Sequence, residues 1–379
     1  MLRSLFTLIC LGLTFVISPA GAATLVPAVP AIKAKGYLLM DFNSGQILAE
    51  KNADERLEPA SLTKMLTSYV VDAELARGNI SLDSEVTISE KAWRMEGSRM
   101  FVEVGKKVSV EQLLKGMIVQ SGNDATVALA EFVAGSEDAF VSLMNQHAAE
   151  LGMTDSHFMN STGLPHKNHY STPRDLAKLA QALIRDFPEH YEWYSEKQFA
   201  YNNIKQYNRN KLLWRNQYVD GIKTGHTDSA GYCLVASMLR DDMRLISVVL
   251  GTRSEEARAE ESQKLFTFGY RFFETHRLYA ANDTLTTARI WKGANEELPL
   301  GLDEDLYLTI PRGQYKNLDA VMQIDTRITA PVKKGDSYGT VNISLDKQPY
   351  AQRKLVALTD VGPGSLLSRL VDEVKLLFE

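Results

Sequence analysis

The chain has 379 residues, 45% hydrophobic and 23% charged, which suits an ordinary globular protein of two or three domains and leaves no room for long disorder. Its formal charge of −5 provides no basic footprint, so nucleic acid is not an expected partner. With only two cysteines, the fold must rest on its core rather than on a disulfide framework.

The N-terminus reads as a targeting segment. Arg3 precedes an apolar run from Leu5 to Ile17, and Ala20-Gly21-Ala22 fits a small-residue cleavage site. The run is too short to span a bilayer, so residues 1–22 are expected to be a signal peptide of an exported protein. Ile9 stands before Cys10 where a lipoprotein signal needs a small residue, which argues against lipidation. Removal of Arg3 makes the mature charge −6, and Cys233 is then alone. Set in the apolar run GYCLVAS, it reads as a buried, inert thiol.

Residues 23–274 alternate helical and strand patterns. GYLLMDFNSGQILAEKNAD reads as two strands around the turn Asn43-Ser44-Gly45. EPASLTKMLTSYVV reads as a helix start, with Pro59 at its beginning and Leu62, Met65, Leu66, Tyr69 and Val70 as a buried stripe. Ser61 and Lys64 lie together on one side of its first turn. The segment 109–135 reads as two helices broken at Ser121-Gly122-Asn123, the first capped by Ser109 with Gln112. STPRDLAKLAQALIRDF is a third helix, entered through Thr172, Pro173 and Asp175. Adjacent strands follow over 218–251, then a helix through ARAEESQKLFTFGYRFFET. Frequent hairpins favour an α/β (α+β) domain whose antiparallel sheet is flanked by helices.

From residue 275 to 361 short strand-like runs alternate with Gly, Pro and Asp turns, which predicts a small all-β sandwich. Gly362-Pro363-Gly364 then reads as a hinge. Residues 362–379 form an amphipathic helix with Leu366, Leu367, Leu370, Val371, Val374, Leu377 and Phe378 on one face. Such a face either docks on its own protein or lies in a membrane interface, and the terminal position favours an anchor. Its polar face carries two basic and three acidic side chains, so attraction to anionic lipid would be weak.

Three short motifs fall in order. Ser61-Leu62-Thr63-Lys64 is S-x-x-K, Ser121-Gly122-Asn123 is S-x-N, and Lys223-Thr224-Gly225 is K-T-G. Each alone is common. Together, 60 and 102 residues apart, they are specific. The triple is the signature of serine acyl enzymes of the penicillin-binding protein and β-lactamase superfamily. EPASLTKMLTSYVV, MIVQSGNDATVALAE, NSTGLPHKNHYSTPRDLA and DGIKTGHTDSAGYCLVAS resemble low-molecular-mass penicillin-binding proteins, the D-alanyl-D-alanine carboxypeptidases, and the likeness covers essentially the whole chain.

A serine hydroxyl needs a base, and a desolvated lysine serves if it is neutral. Lys64, one turn from Ser61, is placed for that, and a second cation at Lys223 would lower its pKa further. The resemblance implies the other roles. Ser121 would relay a proton to the leaving amine, poised between the two lysines. Asn123 would hold Lys64 and bind the substrate amide. Lys223 and Thr224 would bind the terminal carboxylate, with Arg258 nearby and Arg209 as a weaker candidate. Gly225 would let the substrate backbone lie beside its strand. The backbone N–H groups of Ser61 and His226 would form an oxyanion hole. His226 is otherwise not expected to act through its ring. His157, His166, His169 and His190 read as surface or loop residues, and no motif supports a metal or another cofactor.

The expected activity is removal of the terminal D-Ala from peptidoglycan pentapeptide stems, with β-lactams as covalent inhibitors and the periplasmic face of the inner membrane as the location. A β-lactamase is the rival enzyme, but no E-x-x-L-N segment lies between Asn123 and Lys223 and the middle motif is S-G-N. A non-catalytic cell-wall scaffold is the other alternative, and the complete triple argues against it.

Overall fold

The computed structural model of the chain describes residues 26–378. The expected signal segment and its Cys10 lie outside them. The hairpin forms as read: β1 (Gly36–Asp41) pairs antiparallel with β2 (Ile47–Lys51) across Gly45, whose φ of 70° suits a residue without Cβ. A second small hairpin joins β3 (Gln198–Tyr201) to β4 (Ile204–Tyr207). Three long strands follow, β5 (Val219–Thr227), β6 (Gly231–Arg240) and β7 (Met243–Thr252). The first hairpin adds to β7, giving an antiparallel sheet of order β2-β1-β7-β6-β5, with β5 at one edge.

Both faces of this sheet are covered, and the period of two sorts the side chains. Leu38, Met40, Val235, Ile246 and Val248 point into the larger core with helices α1 (Lys64–Ala76), α2 (Val110–Val119), α3 (Asn123–Ala134) and α5 (Pro173–Asp186). Between α3 and α5 lies α4 (Glu137–Glu150), whose Phe140 and Met144 join the same core. Leu39, Leu234, Leu245 and Val249 point the other way, onto Leu265 and Phe266 of α6 (Glu255–Phe272). Cys233 is buried and free, and burial pushes its thiol up to about 11, as its inert reading requires.

The capping signals hold. Ser109 Oγ accepts from Gln112 N at 3.3 Å, and Thr172 Oγ1 accepts from Asp175 N at 3.1 Å with Pro173 in the first turn. The helix expected to run to Thr275 ends at Phe272, and Phe273 opens a strand instead. The segment from Ala60 differs more. Ala60–Thr63 is a 3-10 turn, and the α-helix starts at Lys64. Helix α1 is not a surface helix with one apolar stripe. Lys64, Thr67, Ser68 and Asp72 are as buried as Leu66 and Val70, so each must find a partner inside the protein.

The C-terminal region is all β: β8 (Phe273–Tyr279), β9 (Thr286–Trp291), β10 (Glu297–Gly301), β11 (Leu306–Pro311), β12 (Leu318–Ile324), β13 (Ile328–Thr329), β14 (Ser337–Leu345) and β15 (Gln348–Ala357). Six strands form one sheet of order β12-β14-β15-β10-β9-β13. The other layer is only the β8–β11 pair, whose Leu308 and Ile310 pack on Val341, Ile343 and Leu355. A polar knot joins this region to the first hairpin. Asp41, with no exposed surface, accepts from Ser44 N at 2.8 Å and from Thr275 Oγ1 at 2.7 Å, while Ser44 and Thr309 hydroxyls meet at 2.6 Å.

The tail forms α7 (Leu366–Leu376), but its approach is not a free hinge. Gly362 O accepts from Ala294 N at 2.9 Å, and Gly364 N donates to Lys292 O at 2.8 Å. Asp372 on the polar face accepts from Lys292 N at 2.6 Å, and Glu373 pairs with Lys292 Nζ. The helix therefore docks by its acidic side. Its apolar side faces out, with Leu366 84%, Leu370 64% and Val374 50% exposed. Among the described residues no helix is long and apolar enough to cross a membrane.

Candidate active site

The three motifs converge on one cleft of about 360 Å³ between the helices and the edge strand β5. Ser61, Ser121, Asn123, Thr224, Gly225, His226, Arg258 and Arg209 all line it. Lys64 and Lys223 lie beneath its floor, 1% and 3% exposed.

Lys64 is the centre of the arrangement. Its Nζ donates to Ser61 Oγ at 3.1 Å, to Asn123 Oδ1 at 2.8 Å and to Thr162 O at 2.7 Å. An ammonium has three donors, and all are used. Burial pushes its pKa down to about 7; the Arg209 guanidinium pushes the same way and Asp124 opposes. Arg209 thus adds a cation that the sequence reading did not place beside Lys64, next to the mutual repulsion of Lys64 and Lys223. Lys223 responds in turn: burial, then the charges of Lys64, Arg209 and Arg258, hold it well below its ordinary value. Among the described residues its Nζ bonds only the neighbouring Thr224 O, at 3.1 Å.

Ser121 departs from the reading of a hydroxyl poised between two lysines. Its Oγ is buried and makes no hydrogen bond among the described residues. Lys64 has spent its donors elsewhere. Ser121 also has φ of 66°, and Ala60, just before Ser61, has φ of 48°. Both are left-handed positions that a non-glycine residue holds only when its surroundings enforce them.

Gly225 has a packing role that the sequence reading did not name. A Cβ there would stand 2.9 Å from Pro59 O and 3.2 Å from Ser61 N. Its absence lets β5 close on the turn that carries Ser61. Gly163 does the same from the opposite side: at φ of 85° its Cβ would lie 1.8 Å from Ala60 O. Arg258 is buried under the cleft, its Nη1 donating to Gly225 O at 3.2 Å and its guanidinium 5.6 Å over the Tyr232 ring. His226 is exposed, and its ring lies tilted at 31° against Tyr232 with centroids 4.0 Å apart.

Two histidines are not surface residues. His169 is buried, and burial first, then neighbouring charge, lowers it to about 4. Met159 N donates to its Nδ1 at 3.3 Å, so its Nε2 donates to Thr63 Oγ1 at 2.8 Å, tying the 160s loop to the S-x-x-K turn. His190 is half-buried and raised by its 2.8 Å bond to the buried Asp72. Among the described residues no group of three His, Cys, Asp or Glu side chains is arranged to hold a metal.

Several cleft residues escaped the sequence reading. Thr162 supplies a carbonyl to Lys64, and Leu164, Ser98 and Tyr232 line the walls. Asn160-Ser161-Thr162-Gly163 is a visible turn signal, and Asn160 Oδ1 accepts from Gly163 N at 2.7 Å. Nothing local tells where that turn docks. Asp124 is also missed. Buried next to Asn123, its carboxylate accepts from the backbone N–H groups of Met100, Phe101 and Val102 at 2.8–3.2 Å and so shapes the loop beside Ser98.

Residues 23–254 match the family described as D-alanyl-D-alanine carboxypeptidase, and residues 273–363 match the penicillin-binding protein 5 C-terminal domain. The D-alanyl-D-alanine carboxypeptidase DacA of Escherichia coli K12 is 47% identical over 363 residues, 94% of this chain and 90% of that one. The solved penicillin-binding protein 5 from Haemophilus influenzae superposes with a TM-score of 0.86 at 44% identity, covering 89% of this chain and 99% of that one. Penicillin-binding protein D2 from Listeria monocytogenes, solved in an ampicillin-bound form, gives a TM-score of 0.59 at 31% identity over 63% of this chain and 98% of its own.

Replacing Asp124 by Ala strips three backbone N–H groups, two of them buried, of their acceptor. The expected cost is about 3 kcal/mol, since each orphaned buried donor costs ~1–3 kcal/mol. Denaturant unfolding of Asp124→Ala against wild type measures it; a loss below 1 kcal/mol would mean that the loop rearranges to find other acceptors.

Proposed function

The chain belongs to the serine-type D-alanyl-D-alanine carboxypeptidase family, and we propose that it performs this chemistry through an acyl-enzyme on Ser61. The observation that carries the proposal is the 3.1 Å contact between Ser61 Oγ and a buried Lys64 whose pKa sits at about 7. The fraction of this amine that is neutral, about half at pH 7, accepts the serine proton as Oγ attacks.

The substrate is the D-Ala-D-Ala end of a peptidoglycan stem. Its C-terminal carboxylate enters beside Thr224, with Lys223 and Arg258 beneath and Arg209 at the rim. A carboxylate there would raise Lys223 back toward its charged form, since opposite charge favours ionisation. Ser61 Oγ adds to the carbonyl of the penultimate D-Ala. The oxyanion is held by the N–H groups of Ser61 and His226. As the C–N bond breaks, the leaving amine takes a proton through Ser121, whose unpaired hydroxyl is left available for that contact. Asn123, fixed by Glu96 O at 2.6 Å, keeps Lys64 aimed. Water then attacks the ester, with Lys64 again as base. A β-lactam offers the same serine a strained amide, and the acyl-enzyme it forms lacks a leaving group that diffuses away. No observation favours the β-lactamase or the scaffold reading.

The protein is further proposed to be exported and to rest on the outer face of the cytoplasmic membrane through α7. The outward apolar row Leu366, Leu370, Val374 supports this, because the acidic side of the helix is occupied by Lys292.

Ser61→Ala is expected to abolish both hydrolysis of a diacetyl-lysyl-D-Ala-D-Ala peptide and covalent labelling by a fluorescent penicillin. Labelling that persisted would place the nucleophile elsewhere. The acylation rate of the wild type should be flat above pH 8 and fall about tenfold per unit well below pH 7, as the Lys64 amine takes a proton and ceases to be a base. Lys64→Arg, which keeps the charge but cannot deprotonate, should be inactive across the range. Activity retained by that variant would make Lys64 a fixed cation. Truncation after Gly364 should release the protein from membranes without changing peptide turnover, and salt alone should free only part of the intact protein. Complete release by salt in a fractionation experiment would show an electrostatic anchor instead.

A further inference from the structure

The β3–β4 hairpin and the segment after it carry an aromatic edge that the acyl-transfer steps do not use. Tyr207 ends β4 and Trp214 lies seven residues on; they are 54% and 51% exposed, with ring centroids 6.3 Å apart. Lys205 stands 5.5 Å over the Tyr207 ring and Lys197 5.5 Å over the Trp214 ring. Across the hairpin, Arg99 stands 5.2 Å over the exposed Phe101. Among the described residues Lys197, Lys205 and Arg99 have no carboxylate within ion-pair reach. The one acidic side chain bonded to the hairpin is Glu103, at its Asn202 tip.

The surface is built rigidly onto the site. Buried Gln206 donates to Arg99 O at 2.9 Å. Buried Asn208 donates to Glu196 O at 3.0 Å, and buried Asn210 donates to Gly221 O on β5 at 2.8 Å. Arg209, between these two asparagines, reaches into the cleft, and Ser98, next to Arg99, lines its other wall. Tyr207 is thus two residues from cleft-lining Arg209, and Arg99 one residue from cleft-lining Ser98.

We propose that this edge is a binding platform for the glycan-proximal part of the substrate: sugar rings stack on Tyr207 and Trp214, and the carboxylates of the upstream stem pair with Lys197, Lys205 and Arg99. This rests on the carboxypeptidase reading. In a chain of net charge −5, unpaired cations gathered beside exposed rings complement an anionic ligand with apolar ring faces. A protein partner fits less well. The rings are interleaved with charges rather than joined in one apolar patch.

The test compares two substrates on the same enzymes. Tyr207→Ala/Trp214→Ala and, separately, Lys197→Gln/Lys205→Gln are assayed on diacetyl-lysyl-D-Ala-D-Ala and on a disaccharide pentapeptide. Penicillin labelling of one site per chain confirms that each is folded. Each variant should keep the short peptide within twofold and lose about tenfold in kcat/KM on the disaccharide substrate, mainly through KM. The loss from the lysine pair should shrink at high salt. The same changes on a Ser61→Ala background should weaken co-sedimentation with purified peptidoglycan. Equal effects on both substrates, or peptidoglycan binding unchanged in both variants, would overturn the platform and return the patch to a protein partner. A wild type that turned over neither substrate would sink the carboxypeptidase reading instead, and the co-sedimentation measurement, which needs no turnover, would still decide the platform.

Discussion

The rest of the structure is arranged around an amine buried without a counter-ion. Lys64 Nζ lies among a hydroxyl, an amide oxygen and a peptide carbonyl, and no carboxylate bonds to it. Neutral acceptors satisfy its donors without fixing its charge. A carboxylate in the same place would have held the proton and raised the pKa. The low dielectric that lowers the pKa also makes an unpaired donor costly, so every acceptor must stay in place. Those acceptors come from the S-x-x-K turn, the start of α3 and the 160s loop. The site can exist only where these three segments meet.

Much of the surrounding fold can be understood as holding that meeting point closed. Gly225 and Gly163 let a strand and a loop press on either side of the Ala60–Thr63 turn. His169, kept neutral by burial, bonds Thr63 and ties the loop to the turn. Asp124 gathers three backbone donors and sets the loop opposite. Left-handed backbone at Ala60 and Ser121 costs of order 1–3 kcal/mol each, and the cost falls at Ser121 and at the residue just before Ser61. The strain is local, and the packed core on both faces of the sheet supports it.

The periphery follows the same logic of which polar groups are already taken. In the tail, Asp372 and Glu373 are occupied by Lys292, which turns the apolar side of α7 outward. In the β3–β4 hairpin and the segment after it, the side chains of Gln206, Asn208 and Asn210 donate to backbone carbonyls, which turns the rings and lysines outward. The Asp41 knot joins the β-rich region to the first hairpin through hydroxyls that would otherwise be buried unpaired.

What the sequence alone determined is local chemistry and pattern. The three motifs, the caps at Ser109 and Thr172, the break at Ser121, the hairpin at Gly45 and the apolar row of the tail were all legible, because each depends on residues within a turn or two of one another. Tertiary structure decided what happens between distant segments. Lys64 meets Asn123 and Thr162 across 59 and 98 residues, and which cations act on it, Arg209 together with Lys223, depends on how those segments pack. The unbonded Ser121 hydroxyl, the buried His169, the carboxylate of Asp124 and the outward turn of α7 have the same origin. Burial and partner choice are properties of the space between chain segments, and residue type and spacing carry only half of the terms that set them.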